Sequence, residues 1–122
     1  MELFEDGTVS HRRTDSIAGL KLMQGSKYVQ SDVGKSYNDA LTDLKQGLPV
    51  MFTGTPCQIA GFRSFLGKRH FEGLLLVDIV CHGVPSNALF KDYLKKLEME
   101  WASIPDKSTF VFRELDAWGI AP

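Results

Sequence analysis

Two cysteines, Cys57 and Cys81, carry most of the chemistry this sequence offers, and each stands in a turn of the kind that binds ligands. Cys57 lies in Thr53-Gly54-Thr55-Pro56-Cys57-Gln58, between an apolar run that reads as a strand and an apolar stripe that reads as a helix. Free backbone N–H groups and the helix dipole at such a junction favour an anion or a thiolate. Thr53, Gly54, Thr55 and Gln58 are therefore candidate contacts for an anionic cofactor group. The alternative for Cys57 is a small buried hydrophobe, a common fate of free cysteine. Cys81-His82-Gly83-Val84-Pro85-Ser86 repeats the arrangement one strand later. It offers a soft ligand, an imidazole that can orient a cofactor or pass a proton, and in Gly83 a backbone that a ligand can approach. His82 reads equally well as an exposed loop residue. If the two strands are neighbours, their spacing of about 4.8 Å brings both thiols within reach of a common metal or cofactor.

Two sulfurs cannot complete a four-thiolate iron–sulfur site, and no C-x-x-C or H-x-x-H spacing supplies the remainder, so as cluster ligands Cys57 and Cys81 form an incomplete set. Cys57 to Arg63, with Ser64 next, also match the C-x5-R pattern of cysteine phosphatases, in which the thiolate attacks phosphorus while arginine and backbone N–H groups hold the oxygens. Against that reading, Pro56 precedes the cysteine and only Gly61 lies inside the loop, whereas a phosphate cradle must wrap around its anion. Gly25-Ser26-Lys27-Tyr28 combines a flexible turn, a cation and an aromatic face, which suits the phosphate and ring of a nucleotide or flavin. An ordinary solvated turn would look the same. Arg12 and Arg13 read as surface charges, and Arg63, Lys68, Arg69 and His70 as a solvated helix end.

The elements that must position these residues follow from periodicity. Thr8 to Thr14 alternates weakly, as an edge strand does, and Ser16 can cap a short helix through Met23. Tyr37, Ala40, Leu41 and Leu44 recur at helical spacing, with Gly47 as the stop. Val50 to Phe52 reads as a short strand; Ile59, Phe62 and Leu66 stripe the next helix, which Gly67 ends. Leu74 to Cys81 is a near-continuous apolar run, as in a central strand covered on both faces. Ser86 caps a long helix with Leu89, Phe90, Tyr93, Leu94, Leu97 and Trp101 on one face. Thr109 to Arg113 reads as a further strand, and Trp118-Gly119 closes an aromatic-rich segment.

This order predicts a single α/β domain: a mostly parallel sheet, right-handed crossovers and helices on both faces in three layers. Strands that run alike open their following loops on one rim, the carboxyl edge where ligands of such sheets bind. Cys57 and Cys81 both fall there.

The 122 residues hold 14 Lys+Arg against 15 Asp+Glu and are 43% hydrophobic, a composition of a folded domain and not of a disordered or fibrous chain. A net charge of −1 supplies no broad positive field for nucleic acid. The longest apolar run, interrupted by Asp78, is far short of the roughly 20 residues that span a bilayer. The N-terminus lacks the basic and apolar regions of a secretory signal, so a cytoplasmic, reducing compartment is expected, with no disulfide framework.

Several of these stretches together, GSKYVQSDVG, VMFTGTPCQIAGFRSFL, LLLVDIVCHGVPS, FVFREL and AWG, resemble the beta-subunit family of coenzyme F-420 hydrogenases and dehydrogenases from about Thr8 to Gly119. The resemblance implies an iron–sulfur flavoprotein in which electrons pass between a 4Fe-4S cluster, FAD and a redox partner. It favours flavin contacts for Gly25, Ser26, Lys27 and Tyr28 and cofactor roles for Cys57, Cys81 and His82. It also implies a cysteine-rich ferredoxin-like part upstream and more protein after AWG. The chain then reads as a piece of a longer protein, whose redox partner subunit or further domains would complete it. Taken alone, such a piece could be inactive and hold no cofactor, or serve as a docking module or homodimer.

Overall fold

The computed structural model describes residues 1–4 and 7–100. The strand expected at Thr109–Arg113, the Trp101 position of the long helix and the Trp118-Gly119 segment lie outside the described residues. The chain divides into two compact units, one formed by Met1–Asp32 with Val84–Pro122 and the other by Val33–Gly83.

In the first unit, β1 (Glu2–Leu3) pairs antiparallel with β2 (Val9–Ser10), and a parallel bridge joins Ser10 to Asp32. Helix α1 (Ile17–Met23) starts at Ser16, whose hydroxyl accepts the Gly19 N–H at 3.1 Å, as its sequence position predicts. Helix α4 (Asn87–Glu100) begins after Ser86, whose hydroxyl accepts the Leu89 N–H at 3.3 Å. Phe90 and Leu94, one turn apart, are buried with Val9 and Val29 in this unit's core, while Leu89 and Tyr93 of the expected stripe are exposed.

The second unit is a β–α–β arrangement with one more helix before it. Helix α2 (Ser36–Lys45) buries Ala40, Leu41 and Leu44. It ends where Gly47 turns to φ +78°, with the Gly47 N–H on the Leu44 carbonyl and the Leu48 N–H on that of Asp43, the paired bonds of a Schellman stop. Strand β3 (Val50–Gly54) leads through Thr55 and Pro56 into α3 (Pro56–Leu66), and β4 (Leu74–Asp78) returns parallel to β3. The register runs unbroken from Val50 opposite Leu74 to Gly54 opposite Asp78. Arg69, which the sequence suggested was merely solvated, donates from its guanidinium to the carbonyls of Leu66 at 2.7 Å and Phe65 at 2.6 Å, closing the end of α3. Phe62 is fully buried among Leu41, Leu44, Phe52, Ile59 and Leu66.

The α/β class and the parallel pairing agree with the sequence. The second strand is shorter than its apolar run suggested. It stops at Asp78, because β3 turns into helix after Gly54 and the last ladder bond runs from the Ile79 N–H to the Gly54 carbonyl. Ile79, Val80 and Cys81 continue exposed. Phe52 is packed with α2 and α3 residues, and the side chains alternating with it, Met51 and Thr53 on β3 and Leu75 and Val77 on β4, are exposed.

Candidate functional site

Parallel, in-register pairing makes the carboxyl ends of β3 and β4 one border of the second unit. Cys57 follows Gly54 by three residues and Cys81 follows Asp78 by the same number, so the chain carries a thiol away from that border at both strand ends. Both thiols are free and exposed, and Cys57 is therefore not a buried hydrophobe. His82 is exposed beside Cys81, and Gly83, at φ +99° with open space where a Cβ would stand, gives its N–H to the Cys81 sulfur at 3.4 Å.

The first turn of α3 is tied down by its own residues. The Gln58 side-chain oxygen reaches back to the Thr55 N–H at 2.9 Å, and the Thr55 hydroxyl lies 3.1 Å from the Cys57 sulfur. Pro56 fills the first helical position, where it is well tolerated because it brings no N–H. With the Thr55 donor engaged and the Pro56 donor absent, this turn has fewer N–H groups for an anion than its length suggests.

Tyr37 reaches the same turn from α2. Its hydroxyl donates to the Gln58 carbonyl at 2.7 Å. Its ring stacks on Phe62 at 5.0 Å and tilts against Phe52 at 5.5 Å. Sequence periodicity marked Tyr37 only as a core-facing residue of its helix; nothing in the spacing signals where its hydroxyl goes. Burial of the phenol pushes its pKa above the usual 10.0, and the charge that the Cys57 sulfur can carry adds to the rise. A raised acid pKa contributes stability that is present below pH 10.0 and is lost as pH climbs through the folded-state value. The stability of the protein relative to its Tyr37→Phe variant is accordingly expected to fall in alkali. Urea midpoints of the two proteins between about pH 8 and pH 11 check this, and parallel curves would refute it.

Gly25, Ser26, Lys27 and Tyr28 belong to the first unit. Gly25 sits at φ +83° with open space around it, and the Tyr28 ring is about half exposed. Lys27, four residues past α1, turns back on the end of that helix. Its ammonium donates to the carbonyls of Met23 at 3.1 Å, Gln24 at 2.6 Å and Gly25 at 3.2 Å, one for each of its three protons. Partial burial lowers its pKa, with Glu2 opposing the shift. Lys27 thus closes the end of α1, a duty that a sequence motif of turn, cation and ring does not reveal.

The phosphatase reading of Cys57 to Arg63 fails on geometry. Both residues lie within α3, where six residues advance about 9 Å and rotate roughly 240°, so sulfur and guanidinium cannot converge on one phosphate. Among the described residues no three His, Cys, Asp or Glu side chains are grouped so as to hold a metal ion. The two thiols match half the donor set of a four-thiolate cluster, and a complete cluster requires ligands from elsewhere. No helix among the described residues is long and apolar enough to cross a membrane.

A parallel β–α–β unit with two free thiols following its strand ends defines an α/β protein. Just over half of the chain, residues 48–111, matches the family model for the C terminus of the coenzyme F420 hydrogenase/dehydrogenase beta subunit, and the chain belongs to that family. The matched stretch contains β3, α3, β4 and both cysteines. No curated protein and no solved structure matches the chain.

Proposed function

We propose that this chain is the core of a flavin- and iron–sulfur-dependent oxidoreductase that relays electrons between a cluster, FAD and a redox partner. The observation that supports this reading is the departure of Cys57 and Cys81 from one border of an in-register strand pair, inside the stretch that the family model covers. Bound flavin and cluster would supply the electron chemistry, which side chains cannot. The chain's own residues hold and orient. Cys57 and Cys81 contribute two ligands, and the others come from a partner subunit or from further parts of a longer protein. His82 orients the cofactor or moves a proton at its imidazole. Thr53, Gly54, Thr55, Gln58 and Gly83 line the approach. In the first unit Gly25, Ser26 and Tyr28 remain the flavin contacts, while Lys27 supports them through the α1 end that it closes.

Anaerobic reconstitution tests the proposal. The chain, together with the partner subunit or further parts that supply the other ligands, is mixed with FAD and, separately, with iron and sulfide, then desalted, and the visible absorbance is recorded. Retained iron–sulfur colour that is lost in Cys57→Ser and in Cys81→Ser is the expected result, because the serine hydroxyl is a poor substitute for a thiolate. A colourless wild-type assembly, or undiminished iron–sulfur absorbance in both serine variants, overturns it.

A further inference from the structure

The turn that carries Cys57 is held from outside its own helix by a hydroxyl of α2. Tyr37 crosses from α2 to the Gln58 carbonyl at 2.7 Å. Gln58 is itself buried and clamps the Thr55 N–H, and Thr55 in turn contacts the Cys57 sulfur at 3.1 Å. The phenol can approach this closely because residue 61 is glycine. A Cβ there would stand 2.9 Å from the Tyr37 oxygen but 3.7 Å or more from the nearest ring carbons, so the space left open by Gly61 is fitted to the hydroxyl. A glycine in mid-helix is less favourable than alanine, and here its missing Cβ admits the tyrosine oxygen.

We propose that Tyr37 is a positioning residue for the two-thiol border: seated against Gly61 and bonded to Gln58, it fixes the first turn of α3 so that the Cys57 sulfur is held ready to share a soft metal with Cys81. This rests on the reading of Cys57 and Cys81 as a ligand pair. Such preorganisation shows itself as affinity, since a turn already in place need not be ordered when the metal binds.

Cadmium is a suitable probe, because thiolates favour soft ions and cadmium–sulfur bonds absorb in the ultraviolet. Titration of the reduced chain with Cd2+ is expected to give a charge-transfer band that disappears in Cys57→Ser and in Cys81→Ser. In Tyr37→Phe, which keeps the ring, the band is expected to remain with about fivefold weaker affinity, the equivalent of one lost hydrogen bond. Gly61→Ala, which displaces the hydroxyl from the other side, is expected to weaken binding similarly. Combined with Tyr37→Phe, it should add no further loss. A merely structural tyrosine would lower the melting temperature and leave Cd2+ affinity unchanged. Absence of the band from the wild-type chain refutes the ligand pair itself. A band of undiminished affinity in both Tyr37→Phe and Gly61→Ala refutes the positioning role alone.

Discussion

Phe62→Ala is expected to destabilise the protein by about 3–5 kcal/mol, enough to leave the second unit largely unfolded at ambient temperature. Phe62 is 0% exposed, the most completely buried aromatic of that unit. Its ring lies 4.6 Å from Phe52, 5.0 Å from Tyr37 and 6.3 Å from Phe65. It therefore joins the strand, α2 and its own helix at one point, and deletion leaves a void bordered by three rings that cannot all move inward. The cost combines lost transfer energy with that void. Denaturant midpoints and near-ultraviolet circular dichroism give the measurement. A variant with a wild-type midpoint would show that the aromatic group is not what holds the unit together.

Gly7→Ala should cost roughly 2 kcal/mol in the first unit. Gly7 occupies φ +76°, where an L-residue pays about 1–2 kcal/mol, and an added Cβ would stand 2.7 Å from the Leu94 Cδ1. Leu94 is only 3% exposed and is packed with Val9, Val29 and Phe90, so relief by rotation of that side chain disturbs the core in turn. Gly7 is thereby fitted against Leu94 of α4. Substitution of Gly25, which has a similar φ of +83° and open space around it, serves as the control. Gly25→Ala should show the backbone cost without the steric part, and equal losses at the two sites in thermal unfolding would argue against the Leu94 contact.

Much of the fold was readable from residue spacing because its elements obey local rules. The stripes of α2 and α3, the Ser16 and Ser86 caps and the Gly47 and Gly67 stops each depend on a few neighbouring residues, and all are found. The shared border of the two cysteines followed from chain direction alone. Features set by distant partners were not readable. The length of β4 depends on where β3 stops, and apolar Ile79 and Val80 give no sign of it. Lys27 looked like a free cation because the three carbonyls that receive it belong to a helix end, whose geometry no motif records. Gly61 reads only as the single glycine inside the C-x5-R stretch, whereas its meaning comes from Tyr37, far away in sequence. Met51 and Leu75 read as core, yet their side of the strand pair is exposed.

The division of the chain has a consequence for how the protein is made. Residues 33–83 form an uninterrupted segment, whereas the other unit needs chain from both before and after it. During translation the inner segment is complete and can condense while Val9 and Val29 still wait for Phe90 and Leu94 to leave the ribosome. The setting of Cys57 and Cys81 is thus encoded within one continuous stretch of chain.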